Sequence, residues 1–160
     1  MVGEIDAELL VAISNKIKKR KTTVAVAESV TSGLLQFLFS NMPDAALFFQ
    51  GGITPYNLGQ KAKHLDIEPL HAASVNCVSD RVALEMARGA MLFFNSDWAI
   101  AITGYATPLA ESENKLFAYY VIIYRDEVVA KGKMVPAASD PTQVQYEYSN
   151  RVLRAFFEVC

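Results

Sequence analysis

The chain is short of cysteine, of positive charge and of long apolar runs, and each shortage excludes something. Its two cysteines, Cys77 and Cys160, stand far apart, and neither belongs to a Cys-x-x-Cys pair. With only His64 and His71 beside them, no zinc-ligand spacing is present and no metal is expected. Two unpaired thiols suit a reducing compartment. No apolar run approaches the roughly 20 residues that span a bilayer. The opening Met-Val-Gly-Glu-Ile-Asp carries acid where a secretory leader carries base. A cytoplasmic protein with no membrane partner is therefore expected. Fifteen Lys+Arg stand against 17 Asp+Glu, a net charge of −2, so the basic surface that a nucleic acid partner needs is missing. The G-x-G-x-x-G, P-loop, G-x-S-x-G and H-E-x-x-H strings are absent too. That argues against dinucleotide oxidoreductases, P-loop NTPases, α/β-hydrolases and zinc enzymes.

What is present is apolar mass. Hydrophobic residues make up 52% of the chain and charged ones 20%, which excludes a disordered polymer. The 160 residues suit one domain, taken as residues 1–160. Ile5, Leu9, Ile13 and Ile17 recur every fourth residue and define one helical stripe, closed by the basic run Lys16, Lys18, Lys19, Arg20 and Lys21. Residues 22–27 read as a buried strand, and 28–33 turn into a helix carrying Leu34, Leu35, Phe37 and Leu38, which Pro43-Asp44 breaks. A second strand starts at Ala46 and ends near Pro55. Residues 57–64 form a short helix weakened by Gly59. Ser79-Asp80 caps a helix over 81–94 that buries Val82, Met86, Ala90 and Phe93. A third strand covers 98–102, and a hairpin covers 116–124 and 128–135. Pro141 opens a last helix with Val144, Tyr148, Val152, Ala155, Phe156 and Val159 on one face. The order α-β-α-β-α-α-β-β-β-α predicts a three-layer α/β/α sandwich with a mixed, mainly parallel sheet. Ligands in such folds bind at the carboxyl ends of strands. Three polar segments fall there: 28–33, 54–61 and 103–108.

Within those segments a few residues could carry chemistry. Ser29 opens a helix, where free N–H groups favour an oxyanion or phosphate; the alternative is a plain helix cap. Lys61 acts as a base only if burial or a cation lowers its pKa, and is otherwise a solvated lysine. Thr103-Gly104 ends a strand with a hydroxyl and a small residue that suit close approach of a substrate, or simply make a capped turn. Glu28 is either a site residue or a partner for a helix N-terminus.

Taken together, four ordered segments resemble the CinA C-terminal domain family of competence/damage-inducible proteins and stand-alone nicotinamide mononucleotide deamidases. They are Ala27-Glu28-Ser29-Val30-Thr31-Ser32-Gly33, Gly51-Gly52-Ile53-Thr54-Pro55-Tyr56, Val78-Ser79-Asp80-Arg81-Val82-Ala83 and Ile102-Thr103-Gly104. The likeness runs from about Thr22 to the last helix. It implies hydrolysis of the nicotinamide mononucleotide carboxamide, or of a related amide, to the acid and ammonia. No metal or organic cofactor is implied, and the partner is a small-molecule nucleotide or amide. By position, Ser29 matches the nucleophile and Lys61 the base, five residues after Tyr56. Tyr56 would orient Lys61 or the ring, Thr103 matches the threonine of the last motif, and Thr31 sits in the phosphate-facing turn, with Ser32 and Gly33 among the expected substrate contacts. Glu28 and Gly104 join the expected substrate contacts. Family members are commonly oligomers, so a homo-oligomer is expected, with Phe48, Phe49 or Phe157 as contact aromatics.

The chain departs from the family pattern at several points. Val30 stands for a cysteine, Ser32 for a glycine, and Asn57-Leu58 for Ser-Asn. Leu109-Ala110-Glu111 occupies a glycine stretch. Ser139-Asp140-Pro141-Thr142-Gln143 replaces Gly-Asp-Arg, with no arginine before Arg151. Two readings therefore stay open: an amidohydrolase of the Ser–Lys kind, and a catalytically degenerate relative serving as a ligand-binding or oligomeric scaffold.

Overall fold

Bulky and small side chains alternate along residues 24–27 and again along 98–102, and this alternation decides which helices cover which face of the sheet. The computed structural model describes residues 4–160. In chain order its elements are α1 (Ala7–Arg20), β1 (Val24–Glu28), α2 (Leu34–Ser40), β2 (Phe49–Ile53), α3 (Leu58–Leu65), α4 (Pro69–Ser74), α5 (Asp80–Phe94), β3 (Trp98–Gly104), β4 (Ala118–Tyr124), β5 (Glu127–Met134) and α6 (Pro141–Val159). The strands form one sheet in the order β2-β1-β3-β4-β5. Val24, Val26, Ile100 and Ile102 meet the buried faces of α1, α2 and α6. Ala27, Ala99 and Ala101 meet Val82, Ala83, Met86, Ala87 and Ala90 of α5, so small residues on both sides bring that helix close to the sheet. The result is the three-layer α/β/α sandwich with a mixed sheet.

Strand direction positions the site. β1 runs parallel to both β2 and β3. β3–β4 and β4–β5 are antiparallel. The last residues of β1, β2 and β3 therefore lie at one end of the sheet, and the polar segments 28–33, 54–61 and 103–108 converge there. Local signals set the helices that frame this end. Asn57 accepts a hydrogen bond from Gln60 N at the start of α3, Ser79 from Val82 N at the start of α5, and Asp140 from Gln143 N ahead of Pro141 in α6.

Several expectations shift. Ile5 precedes the cap of α1, whose side-chain acceptor is Asp6, so it lies outside the helical stripe. Residues Ala45–Leu47 form a 3-10 turn rather than strand, because Asp44 adopts a left-handed conformation (φ 57°) and continues the turn begun at Pro43. The helix α4 is an addition to the expected order; Glu68 caps it and Pro69 starts it. Phe93 is 60% exposed: it faces an open depression beside His64 and Leu65 of α3, while Phe94 takes the place over Gly51 of β2. Of the expected contact aromatics, Phe48 is 1% exposed, Phe49 stacks on Phe39 at 5.6 Å, and Phe157 lies under the Lys16 ammonium at 3.8 Å. All three are drawn into the core or its margin, where each buried aromatic contributes roughly 1.5–3 kcal/mol. Among the described residues, no helix is long and apolar enough to cross a membrane.

Candidate functional site

The site begins with a buried carboxylate. Glu28 ends β1 and is fully buried. Its Oε1 accepts from Thr31 Oγ1 (2.6 Å), Gly33 N (2.9 Å) and Leu35 N (3.1 Å), and its Oε2 from Gln36 N (2.8 Å). The three N–H groups are ones that the start of α2 would otherwise leave unpaired, and the positive end of the helix favours the same charge. Of the two roles open to Glu28, the structure shows the helix partner. Gly33 at φ 96° lets the chain turn into α2, a conformation that side chains other than glycine rarely adopt. The capping role is thereby filled, and the Ser29 hydroxyl, one residue on, is released from it.

Ser29 is fixed between β1 and β3. Its N–H donates to Ile102 O at 3.3 Å, and its Oγ lies 3.5 Å from Thr103 Oγ1. Thr103 donates its own proton to Cys77 O at 2.7 Å, so a lone pair of Thr103 faces Ser29. Lys61 arrives from the other side. It sits in the first turn of α3, with its N–H on Asn57 O and its Nζ donating to Pro55 O at 3.0 Å. The residue is 2% exposed. Burial lowers its pKa from the ordinary lysine value, partly opposed by the nearby Cys77 thiol, whose own pKa burial raises. A neutral amine, the form able to take a proton, is thus brought closer to working pH.

Ser29, Lys61 and Thr103 line one cavity of about 340 Å³. Tyr56, 68% exposed, stands in the same lining. Among the described residues, Pro55 O is the atom that holds Lys61 Nζ, and no hydrogen bond joins Tyr56 to it. Gly104 also lines the cavity, but its smallness has a structural cause. A Cβ there would lie 2.5 Å from Ala118 Cβ and 2.6 Å from Phe117 O on the neighbouring strand. Glu28, Thr31, Ser32 and Gly33 are not in this lining. Thr31, Ser32 and Gly33 face a separate open depression shared with Thr142 and Tyr146 of α6.

Sequence reasoning passed over four lining residues. Asn76 and Cys77 are adjacent left-handed residues (φ 49° and 61°), which aim the Cys77 carbonyl at Thr103. The Asn76 amide donates to the Tyr105 hydroxyl at 3.2 Å, and the Tyr105 ring packs edge-on against Phe117. Gln145 of α6 donates to Val30 O at 2.9 Å and ties the last helix to the Ser29 turn. The adjacent left-handed pair has no signature in the string Val75-Asn76-Cys77-Val78. Tyr105, directly after Thr103-Gly104 at a strand end, was the one that position could have flagged.

Known proteins share this fold. The family model described as CinA C-terminal domain matches residues 6–160. The chain belongs to the CinA C-terminal domain family. It is 35% identical over 124 residues to a CinA-like protein of Picosynechococcus sp. (strain ATCC 27264 / PCC 7002 / PR-6), covering 78% of this chain and 30% of that protein. It is 36% identical over 112 residues to a CinA-like protein of Prochlorococcus marinus (strain NATL2A), covering 69% and 26%. The chain thus spans less than a third of these CinA-like relatives. A crystal structure of a CinA superfamily protein from Klebsiella pneumoniae 700603 superposes with a TM-score of 0.91 at 24% identity, covering 97% of each chain. The competence damage-inducible protein A of Klebsiella pneumoniae subsp. pneumoniae MGH 78578 gives 0.90 at 25% identity, covering 95% of this chain and 94% of that one. The three-layer fold is therefore that of the CinA superfamily.

Proposed function

We propose that this CinA C-terminal domain is an amidohydrolase acting on the carboxamide of nicotinamide mononucleotide or of a related amide. One observation carries the reading: a serine hydroxyl and a buried lysine of lowered pKa line the same cavity. Neutral Lys61 takes the Ser29 proton as Oγ attacks the amide carbon. Thr103, its proton committed to Cys77 O, keeps Oγ oriented by accepting from it. The N–H of Val30, which has no protein acceptor among the described residues, is available to the developing oxyanion. Lys61 returns the proton to the departing nitrogen, ammonia leaves, and water then releases the acid from the acyl-serine by the same exchange. Every proton moves between the substrate, the water and these two side chains.

The test is ammonia release from the nucleotide by the purified chain, with Ser29→Ala and Lys61→Ala as controls. Release that both substitutions abolish is expected; release equal to that of Ser29→Ala refutes the reading. A second reading rests on the hydrogen bonds themselves. Ser29 Oγ is held by Thr103 and Lys61 Nζ by Pro55 O, with no direct Ser29–Lys61 bond among the described residues. A site at rest in that state suits a ligand-binding scaffold, which would bind the amide and release no ammonia.

A further inference from the structure

We infer that Asn76 and Tyr105 form a subsite of the cavity that reads two neighbouring hydroxyls on the substrate, as a ribose carries. The inference rests on the amidase reading and concerns what the same cavity recognises beyond the carboxamide. Tyr105 follows Thr103 by two residues at the end of β3, and its N–H still pairs with Phe117 O at 2.9 Å, so both side chains leave the same face. The turn at Asn76 and Cys77 crosses that face. Cys77 O takes the Thr103 proton at 2.7 Å, and the Asn76 amide donates to the Tyr105 hydroxyl at 3.2 Å. Thr103 in turn faces Ser29. The pair thus lies in the same lining as the reacting hydroxyl, one step further along the strand.

The Tyr105 hydroxyl is not needed to hold its ring. The Tyr105 carbonyl accepts from the Tyr148 hydroxyl at 2.8 Å, and the ring packs edge-on against Phe117 at 5.2 Å. The residue is 5% exposed. A phenol so buried ordinarily spends its proton on an acceptor. Among the described residues that of Tyr105 meets none; its oxygen only receives from Asn76. The backbone at 76 does not call for an asparagine amide either, since glycine would serve as well at φ 49°. With its nitrogen on Tyr105, Asn76 keeps Oδ1 as an acceptor without a donor among the described residues, and it is exposed on the cavity.

The unspent functions are a donor, the Tyr105 O–H, beside an acceptor, Asn76 Oδ1. A sugar hydroxyl both donates and accepts, so two adjacent ones satisfy this pair at once. The carboxamide also carries both functions, but the reaction holds it at Ser29. The hydroxyls met next along the substrate are those of the sugar.

The test uses the full chain carrying Ser29→Ala, which binds without turnover, and calorimetry of nicotinamide mononucleotide against its 2′,3′-dideoxy counterpart. Tighter binding of the nucleotide by about tenfold or more is expected. Adding Tyr105→Phe, which keeps the ring, or Asn76→Gly, which suits the left-handed backbone, should cut that preference to about twofold or less, and the two together should cut it no further. A preference absent from the Ser29→Ala chain, or undiminished in either variant, overturns the inference, as does binding of neither probe. Ammonia release decides the amidase reading separately. If the parent chain releases none while the preference appears and is lost as stated, that reading falls and the subsite stands. Release with an undiminished preference keeps the amidase and removes the subsite.

Discussion

Replacing Glu28 with glutamine changes one oxygen to an amide and tests the device that frees Ser29. The side chain is fully buried and accepts four hydrogen bonds. In a glutamine one terminal atom is a donor. Turned toward Gln36 N it orphans one N–H; turned the other way it faces Thr31, Gly33 and Leu35 together. The first orientation is therefore adopted, and leaving Gln36 N–H unpaired costs about 1–3 kcal/mol. The three surviving bonds pass from charged to neutral and lose roughly 1 kcal/mol each, as does part of the attraction to the helix end. Relief from burying a charge offsets part of this. The net loss is about 2–4 kcal/mol. For a chain of this length that lowers Tm by roughly 5–15 °C. Thermal unfolding followed by circular dichroism reads it directly. A Tm within about 1 °C of the parent would show that α2 does not depend on this carboxylate, and the argument that Glu28 relieves Ser29 of capping would fail with it.

Three further outcomes follow from the same geometry. Because burial lowers the Lys61 pKa, ammonia release should rise with pH and level off below the ordinary 10.5 of lysine. The unfolded chain binds the extra proton in that window, so stability at this residue also rises with pH from the folded pKa up to the unfolded one; a rate still climbing past it refutes the buried base. Thr103→Val removes the acceptor for Ser29 and the donor to Cys77 O, and should lower kcat by about tenfold or more with little change in KM, read by steady-state kinetics. Gly104→Ala forces a methyl against Ala118 and Phe117 and should cost about 1–3 kcal/mol, seen as a reduced urea midpoint.

Much of the architecture is legible in local patterns. The every-fourth-residue stripe of Leu9, Ile13 and Ile17 is buried as its period requires, Ser79 caps α5, and Pro141 starts α6. The parallel pairing of β1 with β2 and β3 follows from the helices between them, and it is what gathers the three polar segments. Where prediction slipped, the competing cause was tertiary. Phe93 continues the apolar face of α5, yet Phe94 takes the place over β2 and Phe93 is left in the open depression beside α3. Phe48 looks like a surface aromatic in a short segment, yet the 3-10 turn before it carries it into the core.

The candidate site divides along the same line. Which residues can act is written in the chain: a serine after a buried strand, a lysine in the next polar segment, a threonine closing a third strand. Their states are not. Lys61 is an ordinary surface cation until α3 packs it against Pro55 and Cys77, because a pKa depends on the medium around the group and not on its neighbours in sequence. Glu28 could have faced a ligand, and only the path of α2 over its carboxylate turns it inward. Periodicity and end signals are short-range and survive in a one-dimensional string; burial, charge compensation and cavity shape arise when distant segments meet, so they are settled by the packed molecule alone.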